Sequence, residues 1–146
     1  MIMRDFIAYM SKSIARRFIQ EIFNEGKIEG TEMFVNPDII YHGVFDQVRG
    51  LEDFKRWIVE DHKAFSDTEL IIEDEFAEEK KVAIRWTLKL THGTEISNIP
   101  GVDIFHFEKD KDYIWTIFDA LTPAAQLGIV EKRTPEVPSG TRRFRL

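Results

Sequence analysis

The stretch WTIFDALTPAAQLG, residues 115–128, puts a single carboxylate, Asp119, at the end of an aromatic and aliphatic run. Strand alternation sets Trp115, Ile117 and Asp119 on one face, so the carboxyl group shares its surroundings with an indole and an isoleucine. Burying an unpaired charge is expensive. Desolvation favours the protonated form and moves the pKa toward neutrality, where a carboxyl group can both take and return a proton. An intramolecular aldol closure or an enolisation needs that property. Helix capping is not required of Asp119, because Thr122 and Pro123 already supply an N-cap and a first helical residue for the turn that follows. An ion pair with Arg85 is the structural alternative, and the sequence leaves it open.

A second candidate is His106, in the segment DIFHF. It shares a strand face with Ile104, opposite Asp103, Phe105 and Phe107, so if Ile104 lines a pocket His106 does too. An imidazole there could donate to a developing enolate oxygen or hold a substrate carbonyl. Trp57, Trp86 and Trp115 are expected to line an apolar cavity between helices and sheet, and Tyr41 and Ile104 belong to the same expected ligand-binding wall. His42, His62, His92 and His106 show no HxH or HxxxH spacing, and there is no Gly-rich phosphate loop, GxSxG elbow or dinucleotide fingerprint. No metal and no cofactor are expected.

The elements that would position these groups follow from periodicity. Ile14, Ala15, Phe18, Ile19, Ile22 and Phe23 recur at helical spacing, which predicts an amphipathic helix over 11–24, with 1–9 as an extension of it. A shorter helix is expected over 28–34, a short strand over 38–42, a loop over 43–50 and a third helix over 51–65. After that the period changes to two. Strands are expected over 70–76, 81–91, 102–108 and 113–121; in the longest, Val82, Ile84, Trp86, Leu88 and Leu90 alternate with Ala83, Arg85, Thr87 and Lys89. Helices first and strands after imply an α+β fold, with the N-terminal helices packed on one face of a strongly bent, mainly antiparallel sheet.

At 146 residues, 43% of them hydrophobic, the chain is expected to form one domain over 1–130, followed by a tail over 131–146 that carries two prolines and five basic residues. A net charge of −6 with no Lys/Arg-dense face in the main body argues against a nucleic-acid partner. No apolar run approaches the ~20 residues of a membrane helix, and the N-terminus does not have the pattern of a secretory signal, so no membrane partner and a cytoplasmic location are expected. With no cysteine, disulfides, thiol nucleophiles and thiolate metal sites are excluded.

The segments ARRFIQEIFNEGKIEGTEMFVNPDIIYHG, GLEDFKRWI, KVAIRWTLKLTH, GVDIFHFEKD and WTIFDALTPAAQLG together resemble the SnoaL-like polyketide cyclases of the nuclear transport factor two superfamily. Trp115, Asp119, Leu121, Gln126, Leu127 and Gly128 match the spacing with which that family ends. The resemblance implies a cone-shaped, barrel-like α+β fold enclosing a pocket, with Asp119 as the acid/base group and His106 accompanying it from the preceding strand. It also implies a role for His42, which stands about where related steroid isomerases keep a base. Residues 91–101 lack the longer Thr-Gly-Lys hairpin of relatives, which implies a shorter pocket wall and a smaller substrate. The function expected by resemblance is a cofactor-independent cyclase or isomerase acting on a small to medium apolar carbonyl compound, in a homodimer. Two alternatives stand beside it: a non-catalytic small-molecule-binding or dimerisation domain, and a limonene-type epoxide hydrolase using Asp103 and Asp119, for which Gly101 stands where an arginine is needed and Arg85 would have to substitute.

Overall fold

Apolar residues at helical spacing wind the start of the chain into α1, Ile2–Arg17, which continues into a wider, π-helical stretch over Phe18–Asn24. The computed structural model describes residues 2–64, 66–109 and 112–118. The wider winding begins where Phe18 and Ile19 are both fully buried, and it ends with the Glu25 amide bonded to the Gln20 carbonyl at 2.9 Å. A 3-10 turn, Ile28–Met33, follows. Next come β1, Ile40–His42, and β2, Gln47–Arg49, an antiparallel pair at the sheet edge. Then α2, Leu51–Ala64, buries Phe54 and Ile58. The rest is strand: β3 Ser66–Glu78, β4 Lys81–His92, β5 Glu95–Phe107 and β6 Asp112–Phe118.

The six strands form one open mixed sheet in the order β2-β1-β6-β5-β4-β3. All neighbours are antiparallel except β1 and β6, which run parallel with Tyr41 opposite Ile114. This is the expected α+β architecture, with the N-terminal helices on one face of the sheet.

Two expectations about elements change. The loop expected over 43–50 contains β2, whose single apolar residue, Val48, gives too short a pattern to reveal a strand. And β5 begins at Glu95 rather than at residue 102, running through Pro100, a residue that breaks the pattern of a strand; among the described residues β4 pairs with it throughout and β6 from Gly101 onward. The segment expected to shorten a pocket wall is therefore strand on both sides of a tight turn. It is closed by a two-residue turn in which Gly93 adopts φ +63.

Register separates two faces of the sheet. Val82, Ile84, Trp86 and Leu88 of β4 pair with Phe105, Asp103, Gly101 and Ile99 of β5, which in turn meet Ile114, Thr116 and Phe118 of β6. That inner face packs against the helices. The core centres on Phe18, whose ring stacks on Phe54 at 5.9 Å and meets Phe105 edge-on at 5.8 Å. The outer face carries Ile104, Ile117, Trp115 and His106, with Ile117 60% exposed. A register shift between Ile72 and Asp74 turns Glu75 inward, where Arg16 of α1 pairs with it, and leaves Phe76 outward and exposed.

Candidate functional site

Between the inner face, α2 and the π-helical stretch lies a cavity of about 320 Å³. Its buried end is built from Tyr41, Trp86, Leu90, Ile99 and Asp103, all close to fully covered. Its rim is built from residues 43–46 together with Asp61 and His62 of α2. Trp57 and Asp61 are four apart on α2 and so project from one helical face into the same space. Asn24, at the end of the π-helical stretch, bonds both the carbonyl (2.9 Å) and the amide (2.8 Å) of Leu70, which fixes the helix end against β3 at the cavity wall.

Asp103 is the chemical centre of this space. It is 3% exposed, and Thr116 on the neighbouring strand donates its hydroxyl to Oδ1 at 2.7 Å. Burial pushes the carboxyl group up to about 6, and the Thr116 bond pulls it back only partway. The indole N–H of Trp86 faces the same carboxyl group and acts in the same direction as Thr116, but among the described residues Nε1 completes no hydrogen bond. A buried N–H without a completed bond costs on the order of 1–3 kcal/mol, so an acceptor placed beside Asp103 would complete it. The Tyr41 phenol is held well above its ordinary range by burial, with the charges of Asp103, Asp61 and Asp46 adding to the effect. It stays a neutral donor at any physiological pH. Asp61 is raised as well, again by burial.

The indole of Trp86 reaches this position because Gly101 lies opposite it. A Cβ on Gly101 would stand 2.2 Å from Cη2 of Trp86, well inside contact distance. Gly101→Ala is therefore expected to displace the ring, to cost about 1–3 kcal/mol in chemical denaturation, and to reshape the floor of the cavity beside Asp103. A variant as stable as the parent would show that the indole can move freely.

The residues nominated from sequence divide between the two faces. Tyr41, Trp57 and Trp86 line the cavity. His106, Ile104, Trp115 and His42 do not: they occupy the outer face, where His42 stacks on Trp115 at 5.0 Å and 7°, and His106 Nε2 lies 3.5 Å from Glu108 Oε1. The expectation that Ile104 carries His106 into a pocket thus fails for a simple reason: the face of β5 that turns inward is the one with Asp103 and Phe105. Arg49 donates to Gln47 Oε1 at 3.2 Å, leaving the Gln47 amide nitrogen to meet His42 Nδ1 at 3.0 Å, so His42 is engaged outside the cavity. Asp119 lies outside the described residues. The surroundings from which its dryness was argued are on the outer face, with Ile117 largely exposed and Trp115 half-buried.

Arg85 also stands on the outer face, bonded to Asp74 at 2.8 Å through Nε. It does not supply the cation that epoxide hydrolysis would need beside Asp103. Among the described residues no three His, Asp or Glu side chains gather into a metal-ligating group.

Asp103 and Asp61 were legible in part. Alternation in GVDIFHF puts Asp103 with Phe105 and Phe107, a carboxylate in as apolar a register as the one that drew attention to Asp119. Asp61 could be read from its spacing of four from Trp57.

A carboxyl group that burial raises to about 6, a neutral phenol and an indole N–H converge on an aromatic-walled space large enough for a small ligand. Solved structures share the fold. A candidate polyketide cyclase from Acidithiobacillus ferrooxidans matches 82% of this chain and 94% of its own at 23% identity, with a TM-score of 0.69. A candidate SnoaL-like polyketide cyclase from Jannaschia matches 83% and 93% at 14% identity and a TM-score of 0.74. IdmH, a candidate polyketide cyclase from Streptomyces antibioticus, matches 81% and 98% at 20% identity and a TM-score of 0.71. No curated protein matches the chain. The SnoaL-like polyketide cyclase model matches residues 13–127, most of the chain, with the helices, the sheet and the cavity between them, and the chain belongs to that family.

Proposed function

We propose that the protein is a cofactor-independent cyclase or isomerase that moves a proton on a small to medium apolar carbonyl compound. The observation that carries this reading is Asp103: a carboxyl group buried at the end of an aromatic cavity, with its pKa near 6. In that role it removes a proton from the carbon next to the carbonyl and returns it at another position, while Tyr41 or Trp86 donates to the oxygen on which charge develops. Asp119, matched to the family's acid/base position by resemblance, is proposed as a second proton carrier. His106 is not assigned a role in the cavity, since its side chain is on the other face of the sheet.

Exchange of α-hydrogens in propiophenone dissolved in deuterated water, followed by proton NMR, tests this without knowledge of the natural substrate. The wild type should accelerate exchange over buffer, and Asp103→Asn and Asp119→Asn apportion the work between the two carboxylates. No acceleration by the wild type would leave the non-catalytic binding domain as the better reading.

A homodimer joined through the outer sheet face belongs to the same proposal, as does the cytoplasmic location; no helix among the described residues is long and apolar enough to cross a membrane. Ile96, Ile104 and Ile117 are exposed on the outer strand faces and would be covered by a second copy. Ile117→Glu is expected to shift sedimentation at micromolar concentration from dimer to monomer. A wild-type monomer under the same conditions overturns the dimer.

A further inference from the structure

The rim of the cavity differs from its floor in charge. Asp46 and Asp61 both stand there, and among the described residues no lysine or arginine lines any part of the cavity; His62 is the one basic-capable side chain. Asp61 is half-buried and lines the cavity, and the one charge that offsets its burial among the described residues is that of neighbouring His62. Next to it on the same helix face, Trp57 presents an indole packed at 4.4 Å on Tyr41 and 6.0 Å on Phe54, so the ring is fixed in place. A carboxylate beside a fixed indole is the chemistry that recognises an ammonium group, through charge attraction and the negative face of the ring. A ligand anion would meet the carboxylates of Asp46 and Asp61 at the rim. Deeper in, the Nε1–H of Trp86 is buried beside Asp103 with no completed hydrogen bond among the described residues, which marks a position for a ligand oxygen.

Resting on the reading of the cavity as a carbonyl site, we propose that its ligand also carries a positively charged nitrogen, seated between Asp61 and Trp57, with the carbonyl oxygen on the indole N–H of Trp86. The substrate class is thus a cationic amino-carbonyl compound with an apolar body, and carboxylate-bearing compounds are rejected at the rim. Asp61, Asp46 and Asp103 all line this one cavity, and their charges act together on Tyr41. A cation entering there relieves their mutual repulsion and the desolvation of Asp61.

Three probes of nearly equal shape separate charge from size. Phenacyltrimethylammonium is permanently cationic, neopentyl phenyl ketone is its neutral isostere, and benzoylpropionate is the anionic counterpart. Binding to the full chain is read by calorimetry or by quenching of tryptophan emission. The cation is expected to bind at least about tenfold tighter than the neutral isostere, a difference of ~1.4 kcal/mol, and the anion more weakly than either. Asp61→Asn should bring the cation-to-neutral ratio close to one while leaving the neutral ketone's affinity nearly unchanged. The infrared carbonyl stretch of the bound neutral ketone should fall below its value in hydrocarbon solvent, and Trp86→Phe, where it folds, should restore it.

A cation no tighter than its isostere, or a preference that survives Asp61→Asn, overturns the inference and leaves the carbonyl site standing. An unshifted carbonyl overturns the Trp86 contact. Failure of all three probes to bind would sink the cavity reading itself, and this inference with it.

Discussion

Asp103→Asn is expected to lower α-hydrogen exchange by on the order of 10²–10⁴-fold, the span usually seen when a positioned general base is removed. The amide keeps the oxygen that accepts the Thr116 hydroxyl bond, so the variant tests proton transfer rather than the fold. In the wild type the rate should rise with pH and level off above about 6, as Asp103 loses its proton and becomes the base. Linkage gives a second and independent readout. The folded-state pKa is raised above the unfolded value, so between roughly pH 4 and 6 the native state binds more protons than the unfolded chain, and stability falls as pH rises through that window. The whole effect is about 3 kcal/mol, complete by pH 7. The variant has no proton to lose at this site. Plotted against pH, its stability should therefore gain about 2–2.5 kcal/mol on the wild type between pH 4 and 7, whatever the two values are at either end. A wild type and a variant with parallel stability curves would mean that Asp103 is not desolvated, and the case for it as the base would go with that result.

How far this site could be read from the sequence depends on what alternation can and cannot specify. Period two in β4, β5 and β6 correctly separates Asp103 and Phe105 from Ile104 and His106, and Ile114 and Phe118 from Trp115 and Ile117. It does not say which set faces the core when both sets carry large apolar residues, as they do in β5 and β6. The choice is made by contacts between distant parts of the chain: β1 runs parallel to β6 with Tyr41 beside Ile114, and Gly101 makes room for Trp86 on one face only. Helix spacing was more informative, because α2 has one apolar stripe and a charged remainder, which fixes where Trp57 and Asp61 point. The short edge strand β2 and the start of β5 escaped notice for local reasons, a three-residue length in one case and Pro100 in the other. Sequence also marks the family's terminal motif and its Asp119, and the described residues do not reach that far.

The second large effect expected is on stability. Phe18 is fully buried and touches four other phenylalanines: it stacks on Phe54 at 5.9 Å and meets Phe23, Phe105 and Phe34 edge-on at 5.6, 5.8 and 6.5 Å. It stands at the start of the π-helical stretch and joins that stretch, α2 and the sheet in a single aromatic cluster. Phe18→Ala removes most of the ring's burial and leaves a void that these rigid neighbours cannot fill, at a cost of about 3–5 kcal/mol. Against a total stability of roughly 5–15 kcal/mol, that should lower Tm by on the order of 10–15 °C. The loss should extend to the cavity. Phe54 and Phe23 both pack on Trp57, at 6.0 and 6.3 Å, so the ring that closes the core also braces the wall on which a ligand rests. Stability and affinity for a neutral aryl ketone are expected to fall together. Phe18→Leu, which keeps much of the apolar volume, should recover most of both. The pH window of Asp103 should move little, because its two bonding partners, Thr116 and Trp86, come from β6 and β4 rather than from the helices. An alanine variant that loses stability but keeps full ligand affinity would mean that the sheet alone holds the cavity wall, with Trp57 free of the core behind it.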